Sequence, residues 1–157
     1  MIVTICGSIA YINEMYELKT QLEQFGFEVK VPPNQVKGPD GKIMPAREYY
    51  DHKKAAGNDS WVWRDHSALI TEHFEKVAAA DAVLIANYSK NGIENYIGAN
   101  TLMEMGLAFY LGKPIFLLHP VPEIAYKEEI IGMRPVVIQG DLQKITELAS
   151  DQKAEVI

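Results

Sequence analysis

The sequence predicts an α/β protein, a three-layer sandwich in which helices cover both faces of a five-stranded parallel sheet. Three observations carry that reading. Short apolar runs rich in β-branched residues alternate with segments of helical periodicity along the chain. The run Asp81-Ala82-Val83-Leu84-Ile85-Ala86-Asn87 is apolar without alternation, as in a strand buried from two sides. Glycine or proline punctuates the segments, at Gly26, Pro32-Pro33 and Gly112.

Each element follows from its own pattern. Residues 2–6 are a short apolar run ending at Gly7-Ser8, a central strand entering a tight turn. Over 12–25, Met15, Leu18, Leu22 and Phe25 recur at helical spacing, and Gly26 is the stop. Residues 27–31 alternate apolar and polar as a second strand. The stretch 32–62 is a long loop insertion rich in proline and glycine, with room for a short helix near 46–56. Residues 65–80 are helical through Leu69, Ile70, Phe74 and Val77. A third strand spans 81–87, a polar loop 89–96, and an unusually apolar helix 97–111 that Gly112 closes. A strand at 114–118, a short helix at 126–132, a strand at 135–138 and a helix at 141–149 complete the order, with Asp141 as N-cap.

Five strands in this order favour the flavodoxin-like arrangement 2-1-3-4-5. Its switch point lies between the first and third strands, and ligands bind beyond their carboxyl ends. Residues 1–150 are expected to form one domain, and 151–157 a frayed end.

Composition excludes several classes. The chain has 157 residues, 48% hydrophobic and 23% charged, which rules out disorder and coiled coil as overall descriptions. No apolar run reaches the roughly 18 residues of a membrane span. The N-terminus has no basic region before its apolar run, so a signal peptide and a membrane partner are not expected. A net charge of −6 without a cluster of Lys and Arg speaks against polymeric nucleic acid. The single cysteine, Cys6, excludes an internal disulfide and fits a reducing cytoplasm.

The switch point gathers the candidate residues. Gly7 lets backbone approach a ligand, and Ser8 offers a hydroxyl at a helix start, which suits a phosphate or carboxylate. A plain tight turn capped by Ser8 is the structural alternative. Ile9 and Tyr11 belong to the same turn, and Asn87 and Tyr88 lie at the carboxyl end of the third strand. Glu104 is the only charged residue in Ala99-Asn100-Thr101-Leu102-Met103-Glu104-Met105-Gly106-Leu107-Ala108-Phe109-Tyr110-Leu111, with Asn100 one turn earlier on its face. A buried carboxylate is costly without a partner and often marks nucleophilic or acid/base chemistry. A solvent-facing glutamate is the structural alternative. Asp81 either caps a turn or sits at the amino end of its strand. His66 and His73 are seven apart, where a zinc pair is more typically four apart, so no metal is expected.

Three segments together resemble a known family: Ile5-Cys6-Gly7-Ser8-Ile9, Ala80-Asp81-Ala82-Val83-Leu84-Ile85, and 98–106 with Met103-Glu104-Met105-Gly106. They are similar to the nucleoside 2-deoxyribosyltransferase superfamily. The Cys-Gly-Ser-Ile turn is especially similar to that of the related 2′-deoxynucleoside 5′-phosphate N-hydrolases. The likeness covers roughly residues 1–118, apart from 32–62. It implies that Glu104 is a nucleophile that attacks C1′ of the sugar and expels the base, leaving a covalent glycosyl-enzyme. It implies that the Gly-Ser turn holds the sugar's 5′ end, or a 5′-phosphate, and that Asp81 helps order the site. Gly98 stands where the family usually has an aspartate or serine, and Asn100 is near enough to substitute. His73 stands where the hydrolases carry an acidic group that protonates the leaving base, a role open to histidine.

The resemblance therefore implies an enzyme that cleaves or exchanges the N-glycosidic bond of a small nucleoside or its 5′-monophosphate. It implies no cofactor, and it implies a homo-oligomer. Two other classes stay open. One is a non-catalytic nucleotide sensor on the same scaffold. The other is an interaction module, with Trp61 and Trp63 beside the long loop as anchors.

Overall fold

A computed structural model describes residues 1–154. The parallel sheet runs β2-β1-β5-β6-β7, formed by β1 (Ile2–Gly7), β2 (Glu28–Lys30), β5 (Ala82–Ala86), β6 (Ile115–Leu117) and β7 (Val136–Val137). Counted within this sheet alone, that is the expected order 2-1-3-4-5. All its pairings are parallel; Val3 lies opposite both Val29 and Ala82, and Ile85 lies opposite both Cys6 and Leu117.

Two apolar layers hold the sheet. On one face α1 (Ile12–Gln24) supplies Ile12, Met15, Leu18 and Leu22, and α6 (Gln143–Ala154) supplies Ile145. On the other face lie Val77 of α3 (Val62–Ala79), Met105 and Ala108 of α4 (Ala99–Tyr110), and Ile130 of α5 (Lys127–Gly132). Every residue of β5 is buried, which is why its sequence shows no alternation. Each fully buried Leu, Ile or Met stabilises the fold by about 1.5–3 kcal/mol before entropy is counted. Helix α1 stops where Gly26 takes a φ of +88°, and α4 where Gly112 takes +68°.

The insertion at 32–62 is not one long loop. Residues Gln35–Lys37 (β3) and Ile43–Pro45 (β4) pair as an antiparallel hairpin, and α2 (Ala46–Ala55) follows directly. Tyr49 of α2 is buried and donates its hydroxyl hydrogen to the Val62 carbonyl at 2.9 Å, which fastens α2 to the start of α3. The hairpin and α2 therefore stand over the carboxyl ends of β1 and β5. Helix α3 begins three residues earlier than its pattern predicts. Asp141 accepts at its side chain from the Gln143 amide at 3.1 Å, and at its carbonyl from the Lys144 amide at 3.3 Å, the capping bonds expected of it just before α6. Helix α6 continues to Ala154, so 151–154 are helical where a frayed end was expected; the rest of that stretch lies outside the described residues. No helix among the described residues is long and apolar enough to cross a membrane.

Candidate active site

Beyond the carboxyl ends of β1 and β5 lie two adjoining chambers. The inner one, about 100 Å³, is lined by β1's Gly7, the insertion's Pro32, Pro33, Val36, Ala46, Tyr49, Tyr50 and Lys53, and His73, Asn100 and Glu104 of α3 and α4, among others. The outer one, about 380 Å³, shares Gly7, Ile9, Tyr50, Lys53, His66 and Asn100 with it and adds Ser8, Lys54, Lys90, Tyr96, Gly98 and Thr101. The inner volume holds a few waters or part of a sugar, whereas drug-sized ligands take ~300–1,000 Å³. A ligand of that size that reaches Glu104 would therefore have to span both chambers.

Glu104 sits in the inner wall with 12% of its side chain exposed. Helix α4 buries Thr101, Met105 and Ala108 against the sheet, and Glu104 occupies the flank of that stripe that faces α3. Desolvation pushes its carboxyl up to about 7, and the neighbouring Cys6 thiol offsets this in part. Near neutral pH the group is thus divided between acid and carboxylate. Cys6 is fully buried; burial and then the Glu104 charge push its thiol well above the ordinary value.

His73 lies 3.8 Å from Glu104, Nε2 to Oε2, beyond hydrogen-bond reach. The ring is buried, and neither nitrogen makes a hydrogen bond among the described residues. Desolvation, and then the charge of Lys76, push its pKa down to about 4, against a small opposing contribution from the Ile5 backbone. His73 is therefore neutral at neutral pH. That argues against the proton-donor role expected from its position.

The outer chamber is cationic. Lys90 donates to Ser8 Oγ at 2.8 Å and to Tyr50 Oη at 2.7 Å, and its ammonium lies 4.8 Å from the centre of the Tyr50 ring. Lys53 and Lys54 lie over the same ring at 5.3 and 4.7 Å. Burial lowers the Lys53 pKa, and the Lys90 charge adds to this. The N-terminus of α4 opens here, and Gly98 as N-cap has no side chain to satisfy the first-turn amides. Lysines and open amides together suit an anion.

The structure thus brings Gly7, Ser8, Ile9, His73, Gly98, Asn100 and Glu104 into one region. Three expected site residues are elsewhere engaged. Asp81 lies at the amino end of β5, where its carboxylate accepts from the Ile2 amide at 2.6 Å; it ties two strand starts together at the far end of the sheet. Asn87 is buried and gives both amide hydrogens to the His119 and Pro120 carbonyls while accepting from the His119 amide, so it clamps the turn after β6. Tyr11 donates to the Ser89 carbonyl and packs on Tyr88, with ring centres 5.0 Å apart. Ser8 caps a short 3-10 turn (Ile9–Tyr11) that runs directly into α1, its Oγ accepting from the Ala10 amide at 3.3 Å. Trp63 donates its indole hydrogen to the Gly57 carbonyl at 2.8 Å, and Trp61 packs against Tyr49 and His52. Both tryptophans brace the insertion against α3.

Sequence reasoning missed Lys90. Its signal is the Asn91-Gly92 pair that follows. Both residues have positive φ, 55° and 74°, and Lys90 and Ile93 exchange backbone hydrogen bonds across them at 3.0 Å. An Asn-Gly turn of this kind fixes the lysine's direction. Tyr50 and Lys53 were missed because nothing local in their sequence marks the face of α2 that meets the chamber.

Two solved structures are similar to this chain. One is a 2-deoxyribosyltransferase from the psychrotolerant bacterium Bacillus psychrosaccharolyticus, at 18% identity and a TM-score of 0.47, covering 74% of this chain and 71% of that one. The other is the CMP N-glycosidase BcmB of Clostridium botulinum, at 14% identity and a TM-score of 0.47, covering 95% of this chain and 98% of that one. No protein-family model and no curated protein matches the sequence.

Proposed function

We propose that the protein is an enzyme that cleaves or exchanges the N-glycosidic bond of a nucleoside or nucleoside 5′-monophosphate, with Glu104 as nucleophile. One observation carries the reading: a single carboxylate, buried in the wall of the inner chamber and held near pH 7, with a cationic chamber beside it. A desolvated carboxylate is a stronger nucleophile toward an oxocarbenium-like C1′ than a hydrated one. In this reading Glu104 Oε attacks C1′ and the C1′–N bond breaks. The bonding pair leaves with the base, which takes a proton from solvent. Water or a second base then attacks C1′ and frees the glutamate. Gly7, Ile9 and Asn100 border the sugar. Ser8, Lys90 and the α4 amides take the 5′ end, and a 5′-phosphate fits their charge.

A small nucleotide is the partner, and the chain is read as a cytoplasmic homo-oligomer. Phe109, Tyr110 and Leu111, exposed together at the end of α4, are an apolar surface suited to self-association. The second reading is a nucleotide sensor. It is favoured by the lack of an acid for the leaving base: among the described residues no carboxylate but Glu104 lines either chamber, and His73 is neutral. Base release from nucleosides and 5′-monophosphates, compared between wild type and Glu104→Gln, separates the two readings.

A further inference from the structure

We propose that Cys6, His73 and Glu104 form a zinc-binding site, and that zinc held there shuts the inner chamber's chemistry off. The inference rests on geometry, and only its inhibitory consequence depends on the function proposed above. One donor atom from each residue, Cys6 Sγ, a His73 ring nitrogen and a Glu104 carboxylate oxygen, lies within 4.8 Å of the other two. Thiolate, imidazole and carboxylate are the donor types that zinc takes together. The independent sign is His73. It is 94% buried, has no hydrogen bond at either ring nitrogen among the described residues, and presents one of them to Glu104 at 3.8 Å. A buried unpaired imidazole is costly unless something supplies a partner, and a cation among these three donors would do so.

The three residues come from three rigid elements, β1, α3 and α4, packed on one core. Zinc bonds of about 2.0–2.3 Å would draw the donors to roughly 3.5 Å from one another. Small side-chain rotations close that gap. Three protein ligands leave a fourth position, and His73 and Glu104 both line the inner chamber, so water can fill it and the ion has a way in. On binding, the Cys6 thiol gives its proton to solvent, as does Glu104 when it is protonated, and His73 binds through its neutral lone pair. No electron is transferred. A glutamate oxygen bonded to zinc is no longer free to attack a sugar carbon, so zinc is an inhibitor rather than a cofactor.

Titration of the metal-free full chain with zinc, followed by X-ray absorption at the zinc edge, tests the site directly. Cys6 is the chain's only cysteine, so a thiolate sulfur in the first shell identifies it without any variant. The expected result is one zinc per chain with one sulfur and the remaining ligands nitrogen or oxygen. Cobalt in its place should show a thiolate charge-transfer band that zinc abolishes. Cys6→Ser, checked for folding by circular dichroism, should lose the band and bind zinc at least about 10-fold more weakly, since even a supporting partner of a ligand is worth ~10–100-fold. Zinc bound through nitrogen and oxygen alone, or no binding at equimolar metal, overturns the proposal. Spectroscopy reads the site whether or not the chain releases bases. A sulfur-ligated zinc in a chain without activity leaves this inference standing and removes the function. Activity that depends on Glu104, with no sulfur-ligated zinc, does the reverse.

Discussion

Glu104 and His73 face each other from two helices, and burial moves them in opposite directions. Glu104 rises from 4.5 to about 7, so it binds its proton more tightly in the folded chain. The stability this represents is present below pH 4.5 and is lost as pH rises toward 7. His73 falls from 6.5 to about 4, so its contribution is full above pH 6.5 and is lost as pH falls toward 4. Between pH 4.5 and 6.5 the two trends oppose each other. Glu104→Gln removes only the first. The variant should be more stable than wild type above pH 7, by about 2–3 kcal/mol, with little gain at pH 4.5. Urea melts at pH 4.5 and pH 8 check this, and an equal difference at both would show that Glu104 ionises freely. Glu104 was legible in the sequence because one charge stands alone in an apolar helix. What Asp81, Asn87 and Tyr11 bind was not legible, for a shared reason. Sequence position says which end of a strand a residue is near, but not that a backbone amide or carbonyl has taken its polar atoms.

The end of β1 packs closely against β5 and α1, and Gly7, with no side chain, permits it. A Cβ on Gly7 would lie 3.1 Å from the Ala86 carbonyl oxygen and 3.2 Å from Met15 Sδ. Met15 can yield, whereas the Ala86 carbonyl is sheet backbone. Gly7→Ala should therefore destabilise the chain by about 1–3 kcal/mol, read by denaturant midpoint. The loop that carries Lys90 makes a different contribution. Lys90→Met should raise KM for a 5′-monophosphate by about 10-fold and leave that for the unphosphorylated nucleoside unchanged, as expected for one lost charge-assisted contact. A uniform rise for both would assign Lys90 to holding Ser8 and Tyr50 rather than to the anion. The sheet strands were readable from alternation and apolar runs. The hairpin Gln35–Lys37 with Ile43–Pro45 was not, because three-residue strands amid proline and glycine carry no period long enough to register.

At the scale of the whole molecule, the parallel sheet fixes where a ligand can bind, and the insertion decides how enclosed that place is. Seven of the fifteen residues around the inner chamber come from 32–62. The strand order followed from the alternation of elements alone, but the roofing of the chamber is a tertiary fact with no counterpart in local pattern. At the opposite end of α4, Tyr110 is 85% exposed and Phe109 52%. Phe109→Glu with Tyr110→Glu should turn an oligomer into a monomer by sedimentation while the fold persists; unchanged mass would remove this surface as the contact. The central claim is that Glu104 breaks an N-glycosidic bond. It is met most directly by chromatography of free base released from deoxy- and ribonucleosides and their 5′-monophosphates, with wild type beside Glu104→Gln. The account predicts release by wild type and a loss of about 10³-fold or more in the variant, as for other nucleophile removals, with ligand binding retained. Binding of one of these compounds by wild type without any release would contradict it and leave a sensor.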